Sequence, residues 1–343
     1  MSLPLAVDGM GGDHAPHEIV RGALEYARDT GNRVLVVGRP DELEAALARC
    51  GGRPSDRLEI VPASQVIEMG EKITSIRTKR DSSIHVGARL LRDGRAAGFV
   101  SAGHTGAMMA VCKVICGLLE GVDRPALPAP LPQRGGGYAI LLDAGANLDC
   151  RPEHFRQFAV MGHHYARRVF GIERPRVALL SVGEEDTKGT EVLRKVQHIL
   201  KATKINFIGN VEGNSIFSRR TDVVLCDGFV GNVVLKVSEG IAESIVNELR
   251  DEIARGPLRR LGALALKPVF RVLMRKLDYA EYGGVPLLGL NGVAVVAHGR
   301  SRAKAIRNAL KVAETAARLE MVQKIAADIE ALHEAEQRLG ATA

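Results

Sequence analysis

Five segments of the chain place Asp or Ser beside glycine directly after a short apolar run. They read VDGMGGDH, VSAGHTG, LDAGAN, SVGEEDTKG and CDGFVGN, and they begin at positions 7, 100, 142, 181 and 226. Where such a segment links a strand to a helix, backbone N–H groups and the helix N-terminus can bind an anion. A single loop of this kind can be a plain helix-entry turn. Five at the carboxyl edge of one parallel sheet predict an anion-binding crevice.

The spacing of these residues disfavours the common nucleotide and hydrolase motifs. A dinucleotide fingerprint would need glycine where the chain has His14, and a Walker A loop fails because Lys188 precedes Gly189. No G-x-S-x-G or H-E-x-x-H motif occurs. The five cysteines form no C-x-x-C pair, which argues against a zinc site or a disulfide framework. We therefore expect no metal and no cofactor.

Short β-branched runs alternate along the chain with amphipathic helical patterns. The runs are continuously apolar, which is typical of parallel strands buried on both faces. The alternation predicts a layered α/β/α fold with a mostly parallel sheet. We expect one α/β catalytic domain over residues 1–343, and two lobes around one crevice remain an open alternative. Strands are predicted at 3–7, 33–38, 98–103, 138–145, 176–183, 205–209, 222–228 and 292–299, and helices at 17–29, 41–50, 82–93, 105–119, 153–169, 190–202 and 232–254.

Composition limits the partners and the compartment. A formal net charge of +7 on 343 residues favours an acidic or phosphate-bearing partner. Aromatic residues make up only 4% of the chain and no nucleic-acid-binding signature occurs, so we expect no nucleic-acid partner. The N-terminus lacks a signal-peptide pattern, and no apolar run approaches the roughly 18 residues of a spanning helix. We therefore expect a cytoplasmic protein.

The stretch RGPLRRLGALALKPVFRVLMRKL, at 255–277, is basic and contains no acidic residue. Its pattern predicts two short amphipathic helices, as a projecting hairpin inserted within 240–280. Such a surface suits anionic lipid or an acidic carrier protein. Burial of its apolar face by a second subunit is an equal alternative. The candidate contact residues are Arg259, Arg260, Lys267, Phe270, Arg271, Leu273 and Arg275.

Together with TKRDSSIHVG, NFIGNVEG and YGGVPLLGLNGVAVVAHGRS, the five loops resemble motifs of the fatty-acyl-ACP:phosphate acyltransferases of bacterial phospholipid synthesis (the PlsX type). The resemblance covers about residues 3 to 315. It implies an isocitrate/isopropylmalate dehydrogenase-like fold and transfer of a long acyl chain from acyl carrier protein to inorganic phosphate. It also implies a homodimer that associates peripherally with membrane. The family usually has Asn at the position of His104, and both residues can donate a hydrogen bond.

The resemblance and the loops together give the candidate site residues. Lys188 would hold phosphate or polarise the carbonyl, Asn232 would contact substrate, and His14 would donate to phosphate. The alternative, purely structural roles are a solvated lysine for Lys188 and a helix cap for Asn232. His298 is as consistent with a core histidine as with a substrate contact. The candidate substrate-binding residues are Gly11, Gly12, Asp13, Gly103, His104, Thr105, Asn147, Gly228, Gly231 and His298.

The chemistry of acyl transfer to phosphate fits this inventory. Phosphate, with a second pKa near 6, is mostly a dianion at neutral pH and needs no strong base. A thiolate is an adequate leaving group, so the enzyme mainly has to bind, orient and stabilise charge. Two alternatives remain open: a phosphotransacetylase-like enzyme that uses acyl-CoA, and a non-catalytic scaffold on a lipid surface.

Overall fold

The computed structural model describes residues 3–277 and 282–340, except the side chains of 274–277 and 332–340. Two β-sheets form the centre of the molecule, and the described strands run in chain order as follows. They are β1 Leu5–Asp8, β2 Val34–Gly38, β3 Leu58–Pro62, β4 Gly98–Ser101, β5 Ala129–Pro132, β6 Tyr138–Leu142, β7 Val177–Leu180, β8 Phe207–Val211, β9 Val223–Leu225, β10 Gly284–Pro286 and β11 Ala294–Ala297.

Both sheets are parallel apart from one edge strand each. The first sheet has the order β10-β11-β4-β1-β2-β3, with β10 antiparallel to β11. The second has the order β5-β6-β9-β7-β8, with β5 antiparallel to β6. The carboxyl ends of the parallel strands in each sheet therefore meet at one edge, which confirms the predicted mostly parallel α/β class.

Eleven α-helices surround the sheets in the part of the chain that the structure describes. They are α1 His17–Thr30, α2 Pro40–Arg49, α3 Ser83–Arg92, α4 Thr105–Cys116, α5 Pro152–Phe170, α6 Glu191–Lys201, α7 Gly228–Ala254, α8 Pro257–Ala265, α9 Lys267–Leu277, α10 Ala303–Arg318 and α11 Met321–Gly340. Short 3₁₀ helices span Ile73–Arg77 and Gly213–Phe217.

Alternate residues of the strands pack into different hydrophobic clusters. In β1, Leu5 and Val7 join the largest cluster, while Ala6 joins a second one on the opposite face. The largest cluster also contains Ile140 and Leu142 of the second sheet, so one core connects the two sheets. Burial of both faces explains why these strands are continuously apolar in sequence.

The eight predicted strands and seven predicted helices all have counterparts, with small shifts at their ends. Helix α7 begins at Gly228 rather than at residue 232, because Asp227 caps it by accepting the N–H of Val230 at 2.8 Å. Sequence analysis did not predict β3, β5 or β10, which are short and, for β5 and β10, antiparallel.

The basic stretch contains two short helices, α8 and α9, as predicted. The break falls at Leu266, and Pro268 lies in the first turn of α9, where its missing N–H costs nothing. Phe270 and Leu273 line a groove of about 780 Å³ against α7, which we call the α7 groove. The projecting hairpin remains a prediction. Within 3–277 and 282–340, no helix combines the length and apolarity needed to cross a membrane.

Candidate active site

A crevice of about 730 Å³ lies where strand ends of both sheets meet. Residues that follow β4 and β11 line it from the first sheet, and residues that follow β6 and β9 line it from the second. Among the predicted site residues, the crevice walls contain Thr105, Asn147, Asn232 and His298. The structure thus brings together residues that lie up to 193 positions apart in sequence, 298 − 105.

The loop after β6 is organised around the buried carboxylate of Asp143. Its Oδ1 accepts the backbone N–H groups of Leu127 (3.0 Å), Gly145 (3.3 Å) and Ala146 (3.0 Å). Its Oδ2 accepts both the backbone N–H (2.6 Å) and the side-chain amide (2.8 Å) of Asn147. Burial raises the pKa of Asp143, and these hydrogen bonds oppose that rise.

A second buried carboxylate, Asp8, lies at the carboxyl end of β1, as Asp143 lies at that of β6. It accepts the N–H of Met10 at 3.2 Å and the hydroxyl of Ser101 at 2.7 Å, and Ser101 in turn accepts the N–H of Gly103 at 3.0 Å. Burial raises the pKa of Asp8, with hydrogen bonds from Ser83 and Ser101 acting against it.

These contacts limit how many backbone N–H groups of the glycine loops can face a ligand. The N–H groups of Met10, Gly103, Gly145, Ala146 and Asn147 already have acceptors inside the protein, so they are not available to a ligand. The acceptors are the strand-end Asp side chains themselves and, for Gly103, Ser101. Phosphate binding by the other N–H groups of the five loops remains a prediction.

Three of the predicted binding glycines, Gly11, Gly228 and Gly231, are positions of close backbone approach. A Cβ at Gly11 would lie 2.8 Å from the backbone nitrogen of Gly103, and one at Gly231 would overlap the carbonyl oxygen of Asp143. Gly228 donates its N–H to the Asn147 carbonyl at 2.7 Å. The glycines bring neighbouring strand-end loops into contact, and they shape the crevice from behind.

Gly12 lies in the left-handed region, with φ +108°, and faces the loop after β11. The next residue, Asp13, donates its N–H to the carbonyl of Gly299 at 2.8 Å. The first glycine loop is thereby held beside His298. Neither Gly12, Asp13 nor His14 lies among the residues that line the crevice.

Helix α7 supplies the polar wall of the crevice. Asn232 is exposed into it, and its side chain packs over Gly145. Lys236 follows one helical turn later on the same face and forms an ion pair with Glu239 at 2.8 Å. Sequence analysis missed Lys236, although its i, i+4 spacing from Asn232 was a usable signal.

His298 faces α7 across the crevice. The N–H of Arg300 donates to its Nδ1 at 3.1 Å, which places the ring proton on Nε2 in the neutral form. Burial lowers the pKa of His298, and the nearby Lys236 lowers it further. The neutral ring of His298 therefore lies in the crevice wall with its hydrogen on Nε2.

Helix α4 begins at the crevice with Thr105 and Gly106, and Lys113 lines the same wall two turns later. Its cap, His104, accepts the N–H of Ala107 at Nδ1 (3.1 Å), and its Nε2 lies 3.1 Å from the carbonyl of Glu71. Both ring nitrogens are thus used within the protein, so the His104 ring has no hydrogen left for substrate in this conformation. A substrate contact of His104 remains a prediction.

Lys188 lies outside the crevice walls. It is exposed on the loop after β7, the strand next to β9, and its N–H donates to the Glu185 carbonyl at 3.0 Å. Its catalytic role remains a prediction. Besides Lys236, Lys113 and Arg124 are crevice cations that sequence analysis did not identify.

Of the candidate membrane or carrier contacts, Arg259 is ion-paired with Glu252, and Arg260 donates to the carbonyl of Ala254 at 2.8 Å. Lys267 and Arg271 are exposed. Phe270 and Leu273 line the α7 groove instead of an outer face, and the side chain of Arg275 lies outside the described residues.

The chain matches the family model described as fatty acid synthesis protein over residues 3–324. It is 50% identical over 312 residues to the phosphate acyltransferase of Heliobacterium modesticaldum, covering 91% of this chain and 93% of that relative. The chain belongs to this family. It is also 45% identical over 331 residues to the phosphate acyltransferase of Pelotomaculum thermopropionicum, with 96% of both chains covered. These findings confirm the resemblance drawn from the motifs.

Among solved structures, a phosphotransacetylase from Streptococcus pyogenes superposes with a TM-score of 0.61, covering 96% of this chain and 94% of that one. The two sequences are 16% identical, so the similarity concerns the fold alone. It supports the α/β architecture of this family member. The dehydrogenase-like assignment remains a prediction.

Proposed function

We propose that this chain transfers a long-chain acyl group from acyl carrier protein to inorganic phosphate and thereby forms acyl phosphate for phospholipid synthesis. The observation that carries the proposal is the make-up of the crevice. The amide of Asn232, the ammonium group of Lys236 and the imidazole of His298 face an otherwise largely apolar wall. The named relatives, all phosphate acyltransferases, support the same reaction.

Phosphate would bind between α7 and the loop after β11. Lys236 supplies positive charge, Asn232 supplies directional hydrogen bonds, and His298 lines the same part of the crevice. The N-terminus of α4, at Thr105 and Gly106, adds its partial positive charge from the opposite side. This arrangement orients the dianion and stabilises negative charge without a strong base.

The reaction balances with phosphate as the nucleophile. An oxygen of HPO₄²⁻ attacks the thioester carbonyl carbon, a C–O bond forms, and the C–S bond breaks. The proton that leaves phosphate ends on the departing thiolate, which gives a free thiol and acyl phosphate. Among the described residues that line the crevice there is no serine or cysteine, in agreement with direct attack on the thioester.

The acyl chain would lie along the apolar wall of the crevice. Met109 and Ala110 of α4 face Leu127, Pro130 and nearby apolar residues there. Contact with this wall removes the first methylene groups of the chain from water. A phosphotransacetylase-like reaction with acyl-CoA is the alternative that the test below separates.

Two further partners belong to the proposal. A second copy of the chain would cover the α7 groove, whose walls carry the exposed apolar residues Val237, Ile241 and Ile245. An anionic membrane surface would meet α8, where Leu258 and Leu261 are exposed beside Arg259 and Arg260. A long-chain acyl phosphate released near a membrane could pass into it without crossing water.

The test is incubation of the protein with long-chain acyl carrier protein and phosphate, followed by trapping of acyl phosphate with hydroxylamine. We expect acyl hydroxamate that depends on both phosphate and protein, and slower turnover with acyl-CoA. Faster turnover of acyl-CoA would favour the phosphotransacetylase-like alternative. A chemically competent acylated peptide, found by mass spectrometry during turnover, would contradict direct attack.

A further inference from the structure

Residues 64–82, which we call the crevice loop, close on themselves at their base. Asp81 accepts the N–H and the hydroxyl of Ser64 at 2.9 and 2.6 Å, and these bonds lower the pKa of Asp81. The N–H of Asp81 donates to Oε1 of Gln65 at 3.1 Å, and the N–H of Gln65 donates to the Asp81 carbonyl at 3.2 Å. The two ends of the loop are therefore held together.

The interior of the crevice loop is also fixed. The Lys79 ammonium donates to the Val66 carbonyl at 2.7 Å and forms an ion pair with Glu71. Beyond Glu71, Ile73 lines the crevice, and its Cδ1 would lie 3.5 Å from a Cβ at Gly106. The position of the loop thus determines part of the crevice wall at the N-terminus of α4.

The side chain of His104 joins this loop to α4. Its Nδ1 accepts the N–H of Ala107, so the neutral ring must carry its hydrogen on Nε2, which then donates to the Glu71 carbonyl at 3.1 Å. One ring caps the helix and holds the loop at the same time. The geometry points to His104 as a positioning residue that fixes the crevice loop, and with it Ile73, against the substrate site.

A smaller residue would separate the two functions of the ring. Asparagine is among the best N-cap residues, so His104→Asn keeps an acceptor for the Ala107 N–H. Its side chain ends well short of the distance that the imidazole spans to Glu71. His104→Asn therefore removes the tether and keeps the cap, whereas His104→Ala removes both.

Limited trypsin digestion of the full-length protein measures how firmly His104 holds the crevice loop, and it does not require enzymatic activity. The crevice loop contains four trypsin sites, at Lys72, Arg77, Lys79 and Arg80. We expect His104→Asn to speed cleavage in this loop about three- to tenfold, the effect of losing one net hydrogen bond on a local opening equilibrium. Its urea unfolding midpoint should stay near that of the unmodified chain. Unchanged cleavage in both His104 variants would overturn the inference.

A matched control is Thr190→Asn, which exchanges the cap of α6, where Thr190 accepts the N–H of Leu193 at 3.3 Å. It should leave cleavage of the crevice loop unchanged. Faster cleavage in this control as well would mean that cap changes loosen the fold in general, and the inference would fall.

Steady-state kinetics distinguish a positioning role of His104 from direct contact with substrate. This second experiment rests on the proposed function. His104→Asn should raise the KM for the acyl donor about three- to tenfold, with kcat within about twofold, because a loosened wall weakens binding of the donor. A fall in kcat with the loop still protected from trypsin would mean that His104 contacts substrate, contrary to the inference. If the unmodified protein formed no acyl phosphate, the proposed function would fail. The trypsin digestion would still test whether His104 holds the crevice loop.

Discussion

The backbone N–H and the side-chain amide of Asn147 both donate to one oxygen of Asp143, at 2.6 and 2.8 Å. Asn147 also donates to the carbonyl of Pro125 at 2.7 Å, so it joins the loops before β5 and after β6. Asp8 and Ser101 form the comparable contact in the first sheet at 2.7 Å. Two buried carboxylates, one at a strand end in each sheet, therefore shape the loops around the crevice.

The first prediction concerns the free energy of unfolding of Asp143→Asn. Every hydrogen-bonding partner of this carboxylate is an N–H donor, so an amide NH₂ there would face donors. Relief from burying a charge offsets part of this cost. We expect a loss of about 2 kcal/mol, in the range for a buried unsatisfied group, measured by urea unfolding at neutral pH.

Asp227→Asn is the matched control for that substitution. Asp227 caps α7 through the N–H of Val230, and asparagine caps helices about as well as aspartate. Its free energy of unfolding should change by less than about 0.5 kcal/mol. Equal losses for the two variants would show that the Asp143 network has no special role.

The second prediction concerns the polar wall formed by α7. Asn232→Ala should lower kcat/KM about 10²-fold, as expected for loss of a donor that orients or stabilises developing charge. Lys236→Met should raise the KM for phosphate about tenfold, because it removes a charged contact to the dianion. Lys195→Met, at an exposed residue of α6, should leave both constants unchanged. Both constants are measured by steady-state kinetics at varied phosphate concentration.

Lys188→Ala, measured in the same assay, tests whether phosphate binds at the Lys188 loop or at Lys236 in the crevice. The family resemblance predicts a loss of about 10²-fold for this variant as well. Full activity of Lys188→Ala together with a defect in Lys236→Met would place the phosphate site in the crevice alone. The reverse result would mean that the Lys188 loop, rather than Lys236, binds the substrate.

Much of the fold was predictable from local pattern, because strands buried on both faces are continuously apolar. The convergence of Thr105, Asn147, Asn232 and His298 was also predictable, since the carboxyl ends of parallel strands share one edge. It was not predictable that side chains at the strand ends accept several of the backbone N–H groups of these loops. Asp143 competes for them, and only its tendency to accept from following N–H groups gave a hint.

Two particular side-chain contacts between distant segments could not be predicted from the sequence. The tie between His104 and Glu71 joins positions 33 residues apart through one ring, and nothing local encodes it. The orientation of Phe270 and Leu273 depends in the same way on where α9 lies relative to α7. Helical spacing identified an apolar face there, but it did not show what that face contacts.

The third prediction is a pH dependence of stability that comes from His298. Its pKa is lowered from 6.5, first by burial and then by Lys236 and Arg300, while Glu239 and Asp13 act in the opposite direction. A lowered pKa means that the unfolded chain binds the proton more readily than the folded one. The stabilisation from neutral His298 is therefore present above pH 6.5 and is lost as the pH falls through the lower folded value.

The measurement compares the unfolding free energy of the unmodified chain and of His298→Gln from about pH 8 to about pH 5. The advantage of the unmodified chain should shrink on acidification. Other histidines with lowered pKa values, such as His154, contribute equally to both proteins and cancel in the difference. A difference that stays constant with pH would contradict the assignment.

The fourth prediction concerns self-association through the α7 groove. Ile241 and Ile245 are exposed at neighbouring turns of a helix about 40 Å long and both line the groove. Ile241→Glu with Ile245→Glu should convert a dimer into monomers, measured by light scattering after gel filtration. Glu243→Gln, at an exposed residue on the opposite side of the same helix, should leave the dimer intact. A double variant that stays dimeric would place the contact elsewhere.

The last prediction concerns membrane binding by α8. Leu258, Leu261 and Leu264 are 81%, 65% and 64% exposed and recur every three residues, beside Arg259 and Arg260. Such an arrangement can insert its leucines between lipids while the arginines approach anionic headgroups. Leu258→Glu with Leu261→Glu should abolish flotation with vesicles that contain anionic lipid.

Turnover of soluble acyl donor should be retained in this variant, because α8 contributes no residue to the crevice walls. Phe270→Ser with Leu273→Ser is the comparison, since these residues face the α7 groove. That second variant should still float if α8 is the contact and the protein stays folded. If it loses flotation while the α8 variant keeps it, Phe270 and Leu273 of α9, which are among the contacts that the sequence predicts, meet the membrane and α8 does not.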